Sequence, residues 1–161
     1  MRWRCTIKIR PHEGSAGVVS TFLAANRLLS LGKGGPCMGF LTPKSFGEQA
    51  EDFACKMMKK KGYHILQRNA RSRYGELDII ALHGEVVVFC EVKARQGAVS
   101  GSAGEAIDGR KQRQLGRLAE AWRLANPAWM AAPCRFDAVL VAREAQGWHA
   151  EIVQDAFQLG W

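Results

Sequence analysis

No stretch of this sequence reaches the roughly 18 uninterrupted apolar residues that a membrane-spanning helix needs. The nearest, Ala16 to Leu31, is broken by Arg27 and by polar side chains, so no membrane association is expected. Residues 1–37 bear arginines and few acids, as a presequence would, but they lack an apolar core with a small-residue cleavage site. Cys-x-x-Cys is missing, and His12, His64, His83 and His149 show no ligand spacing. The five cysteines (Cys5, Cys37, Cys55, Cys90, Cys134) are odd in number. A zinc site and a disulfide framework are thereby disfavoured, and a reducing cytoplasm is expected. Lys33-Gly34-Gly35 lacks the Gly-x4-Gly-Lys-Ser/Thr frame of a phosphate loop.

Acids are also scarce at the start of the chain. Arg2, Arg4, Lys8, Arg10, Arg27 and Lys33 face Glu13 alone within residues 1–37, which gives that segment +5 of the total +8. The remainder is only mildly basic, so any nucleic-acid binding must rest on local clusters. With 161 residues and 47% hydrophobic content, one domain with a real core is expected. Residues 1–40 read as a disordered or mis-started extension, with Met38 as an alternative start, and residues 41–161 as the domain.

What is present is a pair of acids and a lysine on two apolar runs. Gly75-Glu76-Leu77-Asp78-Ile79-Ile80-Ala81-Leu82 is followed by His83-Gly84 and then Glu85-Val86-Val87-Val88-Phe89-Cys90-Glu91-Val92-Lys93. Two such runs around a His-Gly turn predict a β-hairpin. Alternation places Glu91 with Lys93 on one face, and Glu76 with Asp78, so Asp78, Glu91 and Lys93 can meet on one side of a sheet. The run Val86–Phe89 is apolar on both faces and predicts a buried central strand. Charges at the end of such a strand need a partner or a metal. Hard carboxylate oxygens suit Mg²⁺ or Mn²⁺, and a neighbouring lysine can orient or deprotonate water. A structural ion pair at the sheet end is the alternative.

Around this hairpin, a helix is expected from about Phe46 to Lys61. Its stripe is Ala50, Phe53, Ala54, Met57 and Met58, and Gly62 is the stop. Glu51 lies at the edge of that stripe, able to look toward the sheet, while Glu48 faces water. A strand over Tyr63–Asn69, the hairpin, and a glycine-rich loop from Gly97 to Gly104 follow. A second helix is expected from about Glu105 to Ala125, with Ile107, Leu115, Leu118, Trp122 and Ala125 as its stripe. Lys111 falls inside that stripe, either snorkelling or facing a site. Arg110, Arg113 and Arg117 form a ridge at its flank, and Arg68, Arg71 and Arg73 a second basic group. Asn126-Pro127 ends the helix. Arg135–Ala142 predicts a strand, Trp148–Val153 a short edge strand, and Asp137 a partner for Arg135. The tryptophans suit packing better than base stacking.

The chain resembles the YraN family of small bacterial proteins, of the restriction-endonuclease-like superfamily with its PD-(D/E)-x-K motif. The resemblance is carried by Gly47, Ala50-Glu51, Ala54, Gly62-Tyr63, Asn69 and Arg71. It continues through Gly75-Glu76-Leu77-Asp78, Val88-Phe89-Cys90-Glu91-Val92-Lys93, Arg95, Arg110-Lys111, Arg135-Phe136-Asp137 and Ala156-Phe157. It is similar to archaeal Holliday-junction resolvases through Glu51, Asp78 and Glu91-x-Lys93 alone. No proline precedes Asp78, and Cys90 stands where the family more often has valine. The resemblance implies an α/β fold with an αβββαβ core and a mixed sheet flanked by helices. It implies a Mg²⁺- or Mn²⁺-dependent endonuclease, a hydrolase of DNA phosphodiester bonds in which branched or structured DNA is a candidate substrate. Glu51, Asp78, Glu91 and Lys93 would be catalytic, and Asp78, Glu91 and the Val92 carbonyl would bind metal. Arg71, Arg73, Arg95, Arg110, Lys111, Arg113 and Arg117 would bind nucleic acid, DNA rather than RNA. A homodimer is the assembly considered. The alternative is a non-catalytic nucleic-acid-binding or scaffold module that keeps the fold.

Overall fold

Ser45 starts the first of the described helices with a reciprocal cap. Its hydroxyl accepts from the Glu48 amide at 3.2 Å, and the Glu48 carboxylate accepts from the Ser45 amide at 2.7 Å. Helix α1 then runs Phe46–Lys60, with Lys59 and Lys60 at its negative end. Gly62 follows at φ 87°, a left-handed conformation that suits glycine, and turns the chain into the sheet. These residues belong to a computed structural model that describes positions 43–97 and 107–159. The expected extension over residues 1–40 and most of the glycine-rich loop lie outside the described residues.

Three strands follow: β1 (His64–Ser72), β2 (Gly75–His83) and β3 (Val86–Gln96). Helix α2 (Gly109–Ala125) and a short 3₁₀ turn (Pro127–Trp129) lead to β4 (Cys134–Glu144) and β5 (Gly147–Phe157). The sheet order is β1-β2-β3-β4-β5. β3 and β4 are parallel, joined by the crossover that contains α2, and the other pairs are antiparallel. The mixed sheet and the αβββαβ order are those expected, with β5 added as a hairpin partner of β4.

Among the described residues, each face of the sheet carries one helix. Ala50, Ala54 and Met58 of α1 pack on Ile79, Ala81, Val88, Cys90, Val139 and Val141. Leu115, Leu118 and Ala119 of α2 pack on Leu77, Ile80, Leu82, Val87, Phe89 and Ala138. The continuous apolar run of β3 is explained by this double cover, since odd and even side chains both meet a helix.

Four expectations change. α2 begins at Gly109 rather than Glu105, because the Asp108 carboxylate takes the Lys111 amide at 2.8 Å and caps the helix there. Ile107 is buried just ahead of the helix, and Ala125 is exposed while Gly116 and Ala119 are buried. β5 spans 11 residues rather than being short. The hairpin turn is Gly84-Glu85, with His83 closing β2 and Gly84 at φ 61°.

Candidate active site

The sheet forks where the acids sit. The β2–β3 ladder runs from His83↔Val86 to Ile79↔Cys90 and ends there. β2 nevertheless stays paired with β1 as far as Gly75, and β3 with β4 as far as Gln96. Asp78 and Glu91 are the first residues beyond the last rung. Here Asp78 Oδ2 accepts the Val92 amide at 2.7 Å, so a side chain substitutes for a strand partner. Leu77 and Ile80 lie in the same core layer although three positions apart, so strict alternation breaks at Asp78–Ile79. Opposite this break, Asn69 of β1 adopts φ 52°. Asp78 thus approaches Glu91 through an irregularity and not on one flat face as alternation implied.

Glu91 is 4% exposed. Its Oε1 accepts from Lys93 Nζ at 3.0 Å and pairs with Lys111 Nζ at 2.9 Å. Its Oε2 is buried with no hydrogen-bond partner. An unmade bond on a buried ionised oxygen is costly, so this atom marks a position for a further cation or donor. Asp78 reports the same shortage. Burial, and then the Glu91 charge, push its carboxyl from 3.8 up to about 6, against the opposing pull of the Val92 amide. The Lys111 alternative is decided: it leaves the apolar stripe of α2 to face the site.

Glu51 stays at the border. It accepts from Asn69 Nδ2 at 3.1 Å and lies 3.8 Å from Arg68, and it adds to the repulsion that raises Asp78. Sequence reasoning did not anticipate Asn69 as the residue that positions it; its place among the family-like residues was the available signal. Among the predicted basic residues, Arg71 pairs with Glu76 at 3.2 Å, and Arg73 donates to the Tyr74 hydroxyl at 2.6 Å. Arg110, Arg113 and Arg117 line a cleft with Tyr74 and Gln114. Arg95 sits on the exposed end of β3.

Three acid or thiol groups in a metal-binding cluster do not occur among the described residues. Two carboxylates nevertheless suffice for Mg²⁺, which keeps waters and substrate oxygens as further ligands. The unpartnered Glu91 oxygen beside the raised Asp78 carboxyl fits such a cation. Cys55, Cys90 and Cys134 are in no disulfide, and burial holds the Cys90 thiol well above its ordinary value, so it stays protonated.

Residues 50–141 match the model of the uncharacterised protein family UPF0102. The chain belongs to this family. A UPF0102 protein of Parafrankia sp. (strain EAN1pec) is 48% identical over 101 residues, covering 63% of this chain and 85% of that one. One from Symbiobacterium thermophilum is 44% identical over 112 residues, covering 69% and 94%. The matched segment contains the whole site, from Glu51 to Lys111, so the family resemblance drawn from sequence is borne out. Among solved structures, a repair endonuclease from Pyrococcus abyssi is similar at TM-score 0.37 and 18% identity. The match covers 66% of this chain and 41% of that chain. No helix among the described residues is long and apolar enough to cross a membrane.

Proposed function

We propose that this UPF0102 protein is a metal-dependent nuclease that hydrolyses DNA phosphodiester bonds, with branched or otherwise structured DNA as the candidate substrate. The observation that carries this reading is Glu91. Its buried carboxylate holds two lysines on one oxygen and leaves the other unpartnered, at a fork shared with a raised Asp78. Asp78, Glu91 and the Val92 carbonyl would hold Mg²⁺ or Mn²⁺. When bound, the ion supplies positive charge to the phosphate oxygens and completes the coordination that the two carboxylates begin.

The chain's own groups do the rest. Lys93 is anchored by Glu91 Oε1, which points its ammonium into the site and leaves it placed to orient the attacking water. Lys111 brings a second positive charge to the same oxygen, suited to a phosphate's negative charge. Glu51 supports the arrangement through Asn69 and adds negative potential at Asp78. Arg73, Arg95, Arg110, Arg113 and Arg117, with Arg71 behind them, would hold the phosphate backbone without reading bases.

Purified protein with linear, nicked and four-way DNA in Mg²⁺ or Mn²⁺ tests the reading. Cleavage is expected, and Asp78→Ala or Glu91→Ala should each lower it by about 10²-fold or more. Cleavage that survives both would place the activity elsewhere. The reading of a non-catalytic binding module draws on one observation, that Lys93 and Lys111 already balance the Glu91 charge. Calorimetric titration with Mn²⁺ separates the two, because heat of binding at near-neutral pH belongs to the nuclease alone.

A further inference from the structure

The turn between β1 and β2 is bolted to α2. Gln114 Nε2 donates to the Tyr74 carbonyl at 2.7 Å. Next to it Gly75 has φ 122°, and a Cβ there would lie 2.5 Å from that same nitrogen, so both the turn and the bolt require glycine. Between the turn and the helix lies a cleft of about 410 Å³, lined by Tyr74, Arg110, Arg113, Gln114 and Arg117. All three arginines are exposed, and none is held in an ion pair with a carboxylate among the described residues. Five other cations of this domain are held by carboxylates: Arg68 by Asp52, Arg71 by Glu76, Arg135 by Asp137, and Lys93 and Lys111 by Glu91. Three uncommitted guanidiniums on a built cleft call for an anion with several charges at regular spacing.

The spacing fits one. Arg110 to Arg117 is seven residues of helix, about 10 Å of axis at 1.5 Å per residue. Successive phosphates of one strand rise about 3.4 Å along the duplex axis and lie farther apart along the winding strand, so three long guanidinium side chains spread over the ridge can reach up to about three of them. The ridge also starts at the site, because Arg110 adjoins Lys111, whose ammonium is on Glu91. We propose that the cleft between the β1–β2 turn and α2 is a one-strand phosphate groove that grips about three consecutive phosphates of duplex DNA on one side of the cut. This deepens the nuclease reading and rests on it for the position of the cut. The grip is one-sided, since the arginines run from Lys111 away along α2, and α1 carries no arginine at all.

The test is binding of a short fluorescein-labelled DNA duplex by the full chain in EDTA, followed by anisotropy over a range of NaCl. Replacing Arg110, Arg113 and Arg117 together by alanine should weaken binding and lower the slope of log affinity against log salt. The fall should be about 0.9 for each phosphate no longer neutralised, or about 2 to 3 in all. The triple lysine variant, which keeps the charges, should keep most of the slope. A charge-matched control, Lys56→Ala with Lys59→Ala and Lys60→Ala on α1, should leave the slope near that of the unaltered chain. An unchanged slope in the arginine variant, or an equal fall in the α1 control, overturns the groove. Cleavage by the unaltered chain in Mg²⁺ is measured separately. A slope that falls without cleavage keeps the groove and sinks the nuclease reading, and cleavage with an unmoved slope does the reverse.

Discussion

Two acids are buried in neighbouring positions of this sheet, and they differ in how they are satisfied. Asp137 pairs in register with Cys90, one residue before Glu91. Asp137 lies on the α1 side with Tyr63, while Glu91 meets Lys111 of α2. Asp137 is 0% exposed and saturated. Oδ1 accepts from Arg135 Nε at 2.8 Å and from the Asp155 amide at 3.0 Å. Oδ2 accepts from Tyr63 Oη at 3.0 Å and from a second Arg135 nitrogen at 3.1 Å. His83 stacks on Tyr63 at 4.1 Å and faces Arg135, and burial together with that guanidinium lowers its pKa, so it is neutral and accepts at Nδ1. Glu91 has two flexible ammoniums on one oxygen and nothing on the other. A saturated acid with a rigid bidentate partner is a piece of architecture. One left half satisfied beside a second, raised acid is where the proposed cation would bind.

The sharpest way to break that contrast is to damage the saturated cluster. In Asp137→Asn the new amide must turn its NH₂ toward a side where both existing partners donate, and the Arg135 charge loses its counterion inside the protein. A loss of about 3–5 kcal/mol is expected, read as a large fall in urea midpoint. A loss no greater than that of Glu91→Gln would mean the two acids play the same role.

The next effect has the opposite sign. Asp78 binds its proton more tightly folded, at about 6, than at its ordinary 3.8. The folded state therefore holds an extra proton between those values, and its stability falls as pH rises from about 4 to about 6. The full difference is worth roughly 3 kcal/mol. Asp78→Asn keeps an oxygen for the Val92 amide and removes the charge, so it should stabilise the chain at pH 7 by up to that amount. It should also flatten the pH profile between 4 and 6. A destabilised variant at pH 7 would show that the Asp78 charge is already compensated.

These two acids also show how far the sequence could be read. Glu91 and Lys93 follow from alternation at the end of an apolar strand, and Lys111 announced itself as a charge inside a helix stripe. The fork did not show, because alternation assumes a regular strand and the break at Asp78–Ile79 depends on where β2 leaves β3. Arg135–Asp137 was legible as a pair two positions apart. The rest of that cluster was not, since His83 and Tyr63 lie 52 and 72 residues from Arg135, and Gln154 lies 91 residues from the Tyr63 hydroxyl it bonds. The start of α2 moved for a local reason, as Asp108 caps the helix through the Lys111 amide.

A smaller effect should come from the metal itself. At tenfold its dissociation constant, Mn²⁺ should add about 1.4 kcal/mol to stability, which a thermal melt reads as a rise of a few degrees. Asp78→Asn and Glu91→Gln should lose that rise, and variants of the Asp137 cluster should keep it. A rise that persists in both site variants would move the metal away from the fork.

The smallest expected change is Tyr63→Phe, which removes one hydroxyl from the saturated cluster and leaves its packing alone. The hydroxyl donates to Asp137 and accepts from Arg135 and from Gln154 Nε2 at 2.9 Å. Asp137 keeps three donors, and Arg135 keeps its two bonds to that carboxylate, so no charge is stranded. The aromatic ring still stacks on His83. A net loss of about 1 kcal/mol is expected, well below the Asp137→Asn effect, because exposed Gln154 can turn to water and Arg135 keeps its other partners, which leaves the bond to Asp137 as the main loss. Metal affinity and cleavage should be unchanged, because the side chain lies on the α1 face while Lys93 and Lys111 gather around Glu91 toward α2. If Tyr63→Phe instead altered Mn²⁺ affinity, the two acids would be coupled through β3 and β4, and the division between an architectural acid and a binding acid would fail.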